Sequence, residues 1–243
     1  MENLSKNKIK LIRSLNLKKH RDESGFFIVE GEKMIQEAID IFPDLIEFIC
    51  FTEKSCFLDQ SFRFPAFLIK EEELKSISSM NSPNKSLIVL KKPNLTSFDS
   101  PFKLVLDNVQ DPGNMGTIMR LADWFNVKEI ICSKDTVDIY NAKVVQSSMG
   151  AIFRIPVTYC NLAEYLTNYS GKIYGALLEG KNIYKEQTTL NGLLILGNEG
   201  NGISEKIKPF ITDPITIPRF GQAESLNVSI ATGILLSEFH REI

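Results

Sequence analysis

Three short segments of the sequence carry polar side chains of the types that bind or transform a ligand. The first is NVQDPGN, which ends at Asn114 and is followed two helical turns later by Arg120. Asn114 is predicted to cap a helix that buries Met115 and Ile118. Unpaired N–H groups at a helix start and a nearby guanidinium suit a phosphate group. A solvent-facing arginine in a surface ion pair is the alternative interpretation.

The second segment, GNEGNGIS, runs from Gly197 to Ser204 and contains three glycines within six residues. Glycines permit positive φ angles and allow a ligand to approach the backbone closely. Glu199 lies among them, and its carboxylate would repel a phosphate group but is compatible with a ligand that carries a cation. A plain turn into a helix that begins at Ile203 is the alternative.

The third segment, IPRFGQAESLNVS, runs from Ile217 to Ser229. Ser225 and Asn227 flank Leu226, from which an apolar helix is predicted to run to Phe239. Ser225 is predicted to cap this helix. The helix contains the small residues Ala231 and Gly233, so another element can approach it closely, and a second subunit is the expected neighbour.

These segments follow strands of what the pattern predicts to be one α/β domain, residues 102–243. The apolar runs KLVLD, KEIICS, IPVTYC, KIYGALL, GLLILG and DPITIP alternate with helical stretches. Such alternation is typical of a mostly parallel sheet that helices cover on both faces. Ligands of these sheets bind beyond the carboxyl ends of the strands. The three segments, which follow KLVLD, GLLILG and DPITIP, are therefore predicted to form one site.

Residues 1–92 are predicted to form a smaller α/β domain with the strands FFIV, LIEFICF, FPAFLIK and SLIVLKK. Residues 93–101, polar and proline-containing, are predicted to be a linker. Residues 1–21 contain seven basic residues against one acidic residue, and their apolar positions recur at helical spacing. This pattern indicates a basic amphipathic helix, which is either a solvated surface or an arm that binds phosphates along a nucleic acid.

The overall composition excludes several classes of protein. The net charge of −2 gives no general bias toward nucleic acid, so a polyanion would need a local basic patch. The four cysteines have no CxxC spacing and the two histidines lie far apart, which argues against a metal site and against a Ser-His-Asp triad. With no long apolar run and no apolar region at the N-terminus, a reduced cytoplasmic protein without membrane spans is predicted.

Taken together, the three segments resemble the three motifs of the SpoU family of RNA 2′-O-ribose methyltransferases, the TrmH-like members of the SPOUT class. The motifs here are DNVQDPGNMGTIMRLADWF, LILGNEGNGIS and ITIPRFGQAESLNVSIATGILLSE, and SMGAIFRIPV resembles a further family segment. The resemblance covers residues from about Phe102 to Ile243. RDESGFFIVEGEKMIQEAI is similar, more loosely, to the family's substrate-binding domain, which has a ribosomal-protein-like α/β fold.

The resemblance implies S-adenosylmethionine as the cofactor, which explains why the glycine-rich segment holds a carboxylate and forms no phosphate cradle. It also implies a C-terminal trefoil knot and a homodimer with its active sites near the subunit interface. By position in the motifs, the cofactor would be held largely by backbone groups of Leu196, Gly197, Asn198, Gly200, Ile217, Pro218 and Leu226.

The resemblance further implies that five residues carry the methylation of a ribose 2′-hydroxyl. Arg120 would either accept the proton of the hydroxyl or stay charged and grip an RNA phosphate. Asn114 would orient the ribose or Arg120, and Glu199 would position polar partners. Ser225 and Asn227 would order the third segment and contact Asn114 or the RNA.

Several functions stay open at this point. Ribosomal RNA is the expected substrate because of the accessory domain, and transfer RNA is the alternative. A catalytically inactive RNA-binding protein is a second alternative, against which the five intact motif residues argue. A classical nucleotide-binding enzyme is a third, but the sequence lacks a glycine-rich loop after the first strand of residues 102–243.

Overall fold

The computed structural model describes residues 4–96 and 100–241, so part of the predicted linker at residues 93–101 lies outside the described residues. Its contacts define two compact units. The N-terminal unit comprises residues up to Asn94 together with Tyr140–Phe153, and the C-terminal unit comprises Leu95–Ile139 together with the chain from Arg154 onward. The segment Tyr140–Phe153 thus belongs by its contacts to the N-terminal unit, although it lies within residues 102–243.

The strands are β1 (Phe26–Glu30), β2 (Ile46–Phe51), β3 (Ala66–Leu68), β4 (Ser86–Lys91), β5 (Phe102–Leu106), β6 (Ile130–Ser133), β7 (Val157–Cys160), β8 (Ile173–Asn182), β9 (Gly192–Leu196) and β10 (Asp213–Thr216). The helices are α1 (Lys6–Ser14), α2 (Lys18–Ser24), α3 (Glu32–Ile41), α4 (Glu71–Ile77), α5 (Pro112–Trp124), α6 (Ala142–Ser148), α7 (Leu162–Thr167) and α8 (Val228–Phe239). Short 3-10 turns occupy Pro43–Leu45, Ala151–Phe153, Ile183–Lys185 and Lys208–Phe210.

The N-terminal unit is built on a four-stranded sheet in the order β1-β4-β2-β3. Strand β4 pairs antiparallel with β1 and β2, and β3 pairs parallel with β2. The four apolar runs of residues 1–92 all form strands at the positions that the sequence predicted. Helix α6 packs against β1 within this unit.

The predicted basic amphipathic helix forms as α1, with Ile12 buried, but it ends at Ser14 and a second helix, α2, begins at Lys18. Arg21 is only 3% exposed. Its guanidinium donates to the carbonyl oxygens of Leu15 and Asn16, at 2.7 and 2.9 Å, which follow the end of α1. Arg21 therefore stabilises the break between the two helices and is not a phosphate-binding side chain.

The C-terminal unit contains a six-stranded sheet in the order β10-β8-β9-β5-β6-β7, and each described pairing in it is parallel. The central strands β5 and β9 are almost entirely buried, which explains why their sequences are apolar apart from Lys103 of β5. The predicted α/β fold with a mostly parallel sheet is confirmed. Because the strands are parallel, the loops after β5, β9 and β10 leave the same edge of the sheet.

The predicted starts of three helices are wrong. Helix α5 begins at Pro112 with Asp111 as its cap, and Asn114 is its third residue. Proline suits a first helical position because the missing N–H needs no partner there. Helix α8 begins at Val228 with Asn227 as its cap, so Ser225 does not cap it and the helix does not start at Leu226. No α-helix begins at Ile203, where the described chain forms bends and turns before the 3-10 turn Lys208–Phe210.

Candidate active site

The side chain of Asn114 connects the three loops that the sequence predicted to converge. Its Nδ2 donates to Oε1 of Glu199 at 2.9 Å. Its Oδ1 accepts from Nδ2 of Asn227 at 2.9 Å and from Oγ of Ser229 at 3.4 Å. One amide thus joins the first turn of α5, the loop after β9 and the start of α8, and both of its polar atoms are engaged.

Asn227 is held in turn by the helix that it caps. Its Oδ1 accepts from the backbone N–H groups of Ser229 and Ile230, at 2.9 and 3.3 Å, and from Oγ of Ser229 at 2.6 Å. The cap fixes which end of the amide faces Asn114, so Nδ2 is the donor toward that residue. The sequence analysis did not identify Ser229 as a site residue. The available signal was its position two residues after the cap, where short polar side chains often hydrogen-bond back to the cap.

The glycine-rich loop after β9 is shaped by Asn198. Its Oδ1 accepts from the backbone N–H groups of Gly200 and Asn201, at 2.9 and 3.1 Å, and its Nδ2 donates to the carbonyl of Asn108 at 2.8 Å. Gly197 lies so close to the returning chain that a β-carbon there would overlap the backbone of Gly202. The glycines therefore serve a tight loop that Asn198 anchors to the loop after β5.

A second anchor lies beneath this loop at the end of β5. Asp107 is 1% exposed, and its Oδ2 accepts from the backbone N–H of Ser204 at 2.8 Å. Asn108 follows with φ of 61°, a left-handed conformation that asparagine tolerates, and its N–H donates to Oγ of Ser133 at 2.9 Å. Sequence reasoning missed both residues, although a polar Asp-Asn pair directly after a buried strand was the available signal.

Arg120 and Ser225 lie outside this hydrogen-bonded network. Both side chains are exposed, and neither forms a hydrogen bond or an ion pair with the residues that the structure describes. Arg120 is six positions after Asn114 in α5. At about 100° per residue, its side chain therefore points about 120° around the helix axis from that of Asn114. The guanidinium of Arg120 is accordingly available to a partner outside the unit.

A cleft of about 870 Å³ lies between the loops after β9 and β10. All seven residues that the sequence assigned to the cofactor line it: Leu196, Gly197, Asn198, Gly200, Ile217, Pro218 and Leu226. Glu199 and Ser225 line it as well. Its volume is within the usual range for a site that holds a small molecule or cofactor.

The wall of the cleft formed by the loop after β10 has few described internal contacts. Residues 217–227 form neither helix nor strand, and Nη1 of Arg219 donates to the carbonyl of Ala223 at 3.3 Å. Phe220 on this loop is 93% exposed although it lines the cleft. Leu178 of β8, the strand next to β10, also lines the cleft and is exposed, so apolar side chains stand at the mouth of the cleft.

Among the residues described, no three His, Cys, Asp or Glu side chains lie close enough together to hold a metal ion. None of the helices within that part of the chain has both the length and the apolar character that crossing a membrane requires. The polar side chains that line the cleft are amides and hydroxyls, the carboxylates of Glu179, Glu199 and Glu224, and the cationic groups of Lys208 and Arg219. Such a donor set suits an organic ligand.

Two family models match the chain. The SpoU rRNA Methylase family matches residues 101–237, and the MRM3-like substrate binding domain matches residues 6–87. The 23S rRNA (guanosine(2553)-2′-O)-methyltransferase RlmP of Bacillus subtilis is 30% identical over 240 residues, which cover 97% of each chain. The 23S rRNA (guanosine-2′-O-)-methyltransferase RlmB of Escherichia coli is 35% identical over 153 residues, 61% of this chain and 63% of that one.

Solved structures resemble the whole chain. A TrmH-family protein from Porphyromonas gingivalis superposes with a TM-score of 0.87 at 34% identity, covering 100% of both chains. An AdoMet-bound rRNA methyltransferase from Sinorhizobium meliloti superposes with a TM-score of 0.86 at 27% identity, covering 100% of this chain and 97% of that one. The similarity therefore extends over both units.

Proposed function

Because the chain belongs to the SpoU rRNA methylase family, we propose that it methylates a ribose 2′-hydroxyl of ribosomal RNA with S-adenosylmethionine as the methyl donor. The observation that carries this proposal is the Asn114 amide, which ties all three motif loops together beside a cofactor-sized cleft. The relatives that support it are named as 2′-O-methyltransferases of 23S rRNA.

The residues of the cleft fit the proposed cofactor. Leu196, Ile217 and Leu226 offer apolar surface for an adenosine, and the close turn at Gly197 leaves backbone groups accessible. The carboxylates of Glu179, Glu199 and Glu224 outnumber the cationic groups of Lys208 and Arg219 in the lining, which favours the positive charge of the proposed cofactor. When bound, the cofactor supplies an electrophilic methyl group on a cationic sulfur.

The catalytic residues then divide into orienting and charge-stabilising groups. Asn114, held at both ends of its amide, orients the ribose at the cleft, and alignment of this kind supplies much of the acceleration in group transfer. Arg120 grips a phosphate of the RNA and stabilises the negative charge that develops on the 2′-oxygen. We favour this role over that of a base because guanidinium groups keep their proton in proteins. The proton of the 2′-hydroxyl then passes to water as the oxygen–methyl bond forms and the sulfur–methyl bond breaks.

The N-terminal unit is proposed to bind the RNA, as the match to a substrate binding domain supports. Lys6, Lys10 and Lys18 are exposed there and supply local positive charge to a chain whose net charge is −2. Since the substrate is ribosomal RNA, we place the enzyme in the cytoplasm.

A methyl-transfer assay tests the main proposal. Purified full-length protein, labelled S-adenosylmethionine and unmodified transcripts of 23S rRNA and of transfer RNA are incubated, and 2′-O-methyl positions are mapped. Incorporation at one site of 23S rRNA is expected. Incorporation into transfer RNA alone would establish the tRNA alternative, and RNA binding without incorporation into either would overturn catalysis.

We also propose a homodimer that uses exposed apolar residues of the C-terminal unit, which is the catalytic unit of the proposed enzyme. Trp124 at the end of α5 is 81% exposed, and Ile230 on α8 is also exposed. Gly233 of α8 does not face a second subunit, because a β-carbon added to it would lie 3.6 Å from the side chain of Leu121 in the same chain. The element that approaches α8 closely at this glycine is therefore α5. Trp124→Glu is expected to convert dimers to monomers in sedimentation experiments, and a monomeric native protein would contradict the proposal.

A C-terminal trefoil knot completes the proposed architecture. Strand β10 lies at the edge of the sheet, next to β8. Helix α8, which follows β10 in the chain, packs against α5, the helix that follows the central strand β5. The chain from β10 to α8 must therefore cross the carboxyl ends of β8 and β9, which supports a passage of the C-terminal segment beneath an earlier loop. A crystal structure that traces this crossing outside every loop would refute the knot.

A further inference from the structure

A second, smaller cleft lies in the N-terminal unit and plays no part in the chemistry described above. It encloses about 300 Å³ between β1, the segment after α4, and α6. Its wall includes the apolar side chains of Ile28, Met80 and Val145, of which Ile28 and Val145 are buried. The polar side chains of Asn81 and Gln146 lie at the same cleft. A cleft with apolar walls and polar groups at one edge suits a flat heteroaromatic ring, which is apolar on its faces and polar along its edge.

The floor of this cleft holds a carboxylate. Glu30, the last residue of β1, is 5% exposed. Its Oε2 accepts from Oγ of Ser78 at 2.6 Å, and its Oε1 accepts from the backbone N–H of Ser79 at 2.8 Å. An ionised carboxylate can accept about four hydrogen bonds. Two of these directions are used by the serines, which lock the orientation of the group and leave capacity toward the cleft.

The chemistry of the cleft selects its occupant. Lys143 also lines the cleft, but the buried carboxylate of Glu30 disfavours a phosphate group next to it. A metal ion would find only this one carboxylate among the side chains that line the cleft. A nucleobase with adjacent N–H donors suits it, and guanine alone presents N1–H and N2–H side by side. The amides of Asn81 and Gln146 can donate to its remaining acceptors.

We propose that this cleft binds an unpaired guanine of the RNA substrate, at a nucleotide other than the one that is methylated. The proposal rests on the proposed function, because RNA is the source of the base. Sequence-specific RNA recognition typically uses unstacked bases that are read along their edges. Recognition in the N-terminal unit would thus add base specificity to the backbone contacts of its exposed lysines.

Binding of single nucleotides tests the base preference directly. Full-length protein with 13C-labelled methionine methyl groups is titrated with GMP, AMP, CMP and UMP, and the methyl resonances are followed by NMR. Met80 lines the cleft, whereas Met149 is exposed outside its lining and Met115 is buried in the catalytic unit. GMP is expected to shift the Met80 resonance alone, at lower concentration than the other nucleotides. No shift, or an equal shift with all four, would overturn the proposal.

Kinetics with the proposed substrate provide an independent test. The double variant Asn81→Ala, Gln146→Ala is expected to raise KM for 23S rRNA about tenfold while leaving kcat and the Kd of S-adenosylmethionine unchanged. Gln60→Ala, an exposed amide of the same unit outside the cleft, is the matched control. An unchanged KM in an active double variant would refute the guanine site and leave the proposed function intact. An inactive native protein would refute the proposed function instead.

Discussion

Two sets of residues in the catalytic unit differ in whether their side chains form hydrogen bonds within the chain. The internal network comprises Asn114, Asn198, Glu199, Asn227 and Ser229, which hydrogen-bond to one another's loops. The exposed set comprises Arg120, Phe220 and Ser225, whose side chains form no hydrogen bond with the described residues. The motifs of the sequence give no sign of this division, since both sets come from the same three segments.

The difference separates two contributions to function. A hydrogen bond within a folded chain contributes about 0.5–1.5 kcal/mol net, and a buried partner left unsatisfied costs about 1–3 kcal/mol. Changes in the internal network should therefore lower the stability of the fold together with activity. Changes in the exposed set should leave the stability of the fold unchanged and affect only ligand binding or catalysis. Within the described part of the free protein, these side chains form no hydrogen bonds that a substitution could remove.

The largest expected effect comes from Arg120. Arg120→Ala is predicted to lower kcat for methyl transfer by about 10²–10³-fold, the usual cost of removing a group that stabilises developing charge. Because the side chain is exposed and lacks described partners, the melting temperature and the Kd of S-adenosylmethionine should stay unchanged. Steady-state kinetics, thermal unfolding and calorimetry measure the three quantities.

Lys206→Ala, which removes another exposed positive charge of the catalytic unit, is the control for Arg120 and should retain near-native kcat. A fall of several degrees in the melting temperature of Arg120→Ala would move this residue into the internal network and break the comparison. Retention of most of the activity would remove Arg120 from the mechanism.

Asn114→Ala is expected to have the next largest effect and to combine both contributions. It removes the partner of Glu199 and of Asn227, so methyl transfer should fall about 10²-fold as alignment at the cleft is lost. The free energy of unfolding should fall by about 1–3 kcal/mol, measured by urea denaturation. Cofactor binding, measured by calorimetry, should persist, and an equally weakened cofactor affinity would contradict the orienting role of Asn114.

Asn198→Ala should act mainly on the cofactor. The change removes three hydrogen bonds that hold the loop after β9 to itself and to Asn108, so the loop must be ordered when the cofactor binds. The Kd of S-adenosylmethionine is expected to rise about tenfold, equivalent to about 1.4 kcal/mol. Asn201→Ala, in the same loop but with no described side-chain hydrogen bond, should bind normally. Equal effects of the two changes would show that loop composition matters more than the Asn198 bonds.

Much of the fold was readable because burial imposes a strong pattern. Strand β9 is apolar throughout and β5 is apolar apart from Lys103, and the strands of both sheets appear where the sequence predicted them. The convergence of the three loops followed from parallel strands, whose carboxyl ends share one edge of the sheet. The cofactor identity came from the resemblance of the motifs, because neither periodicity nor charge encodes a sulfonium ligand.

Helix starts and side-chain partners were less readable, since they depend on competition among neighbouring polar residues. Asp111 and Asn114 are both good caps, and the proline between them decided in favour of Asp111. Ser225 and Asn227 competed in the same way, and Asn227 became the cap. The basic residue Arg21 was grouped with a charged surface, whereas it is buried and donates to two carbonyl groups just after the end of α1.

The smallest expected effect is that of Phe220, which tests the comparison at its limit. An aromatic side chain that is 93% exposed contributes little apolar burial to the folded state, so Phe220→Ala should leave the melting temperature unchanged. A cofactor that fills the cleft would cover part of the ring, and loss of about 1 kcal/mol of burial would raise the Kd of S-adenosylmethionine roughly fivefold. Phe220→Leu, which keeps apolar surface, should recover most of the affinity. If Phe220→Ala lowered the melting temperature without changing cofactor affinity, the loop after β10 would belong with the internal network, and exposure would be a poor guide to which residues meet the ligand.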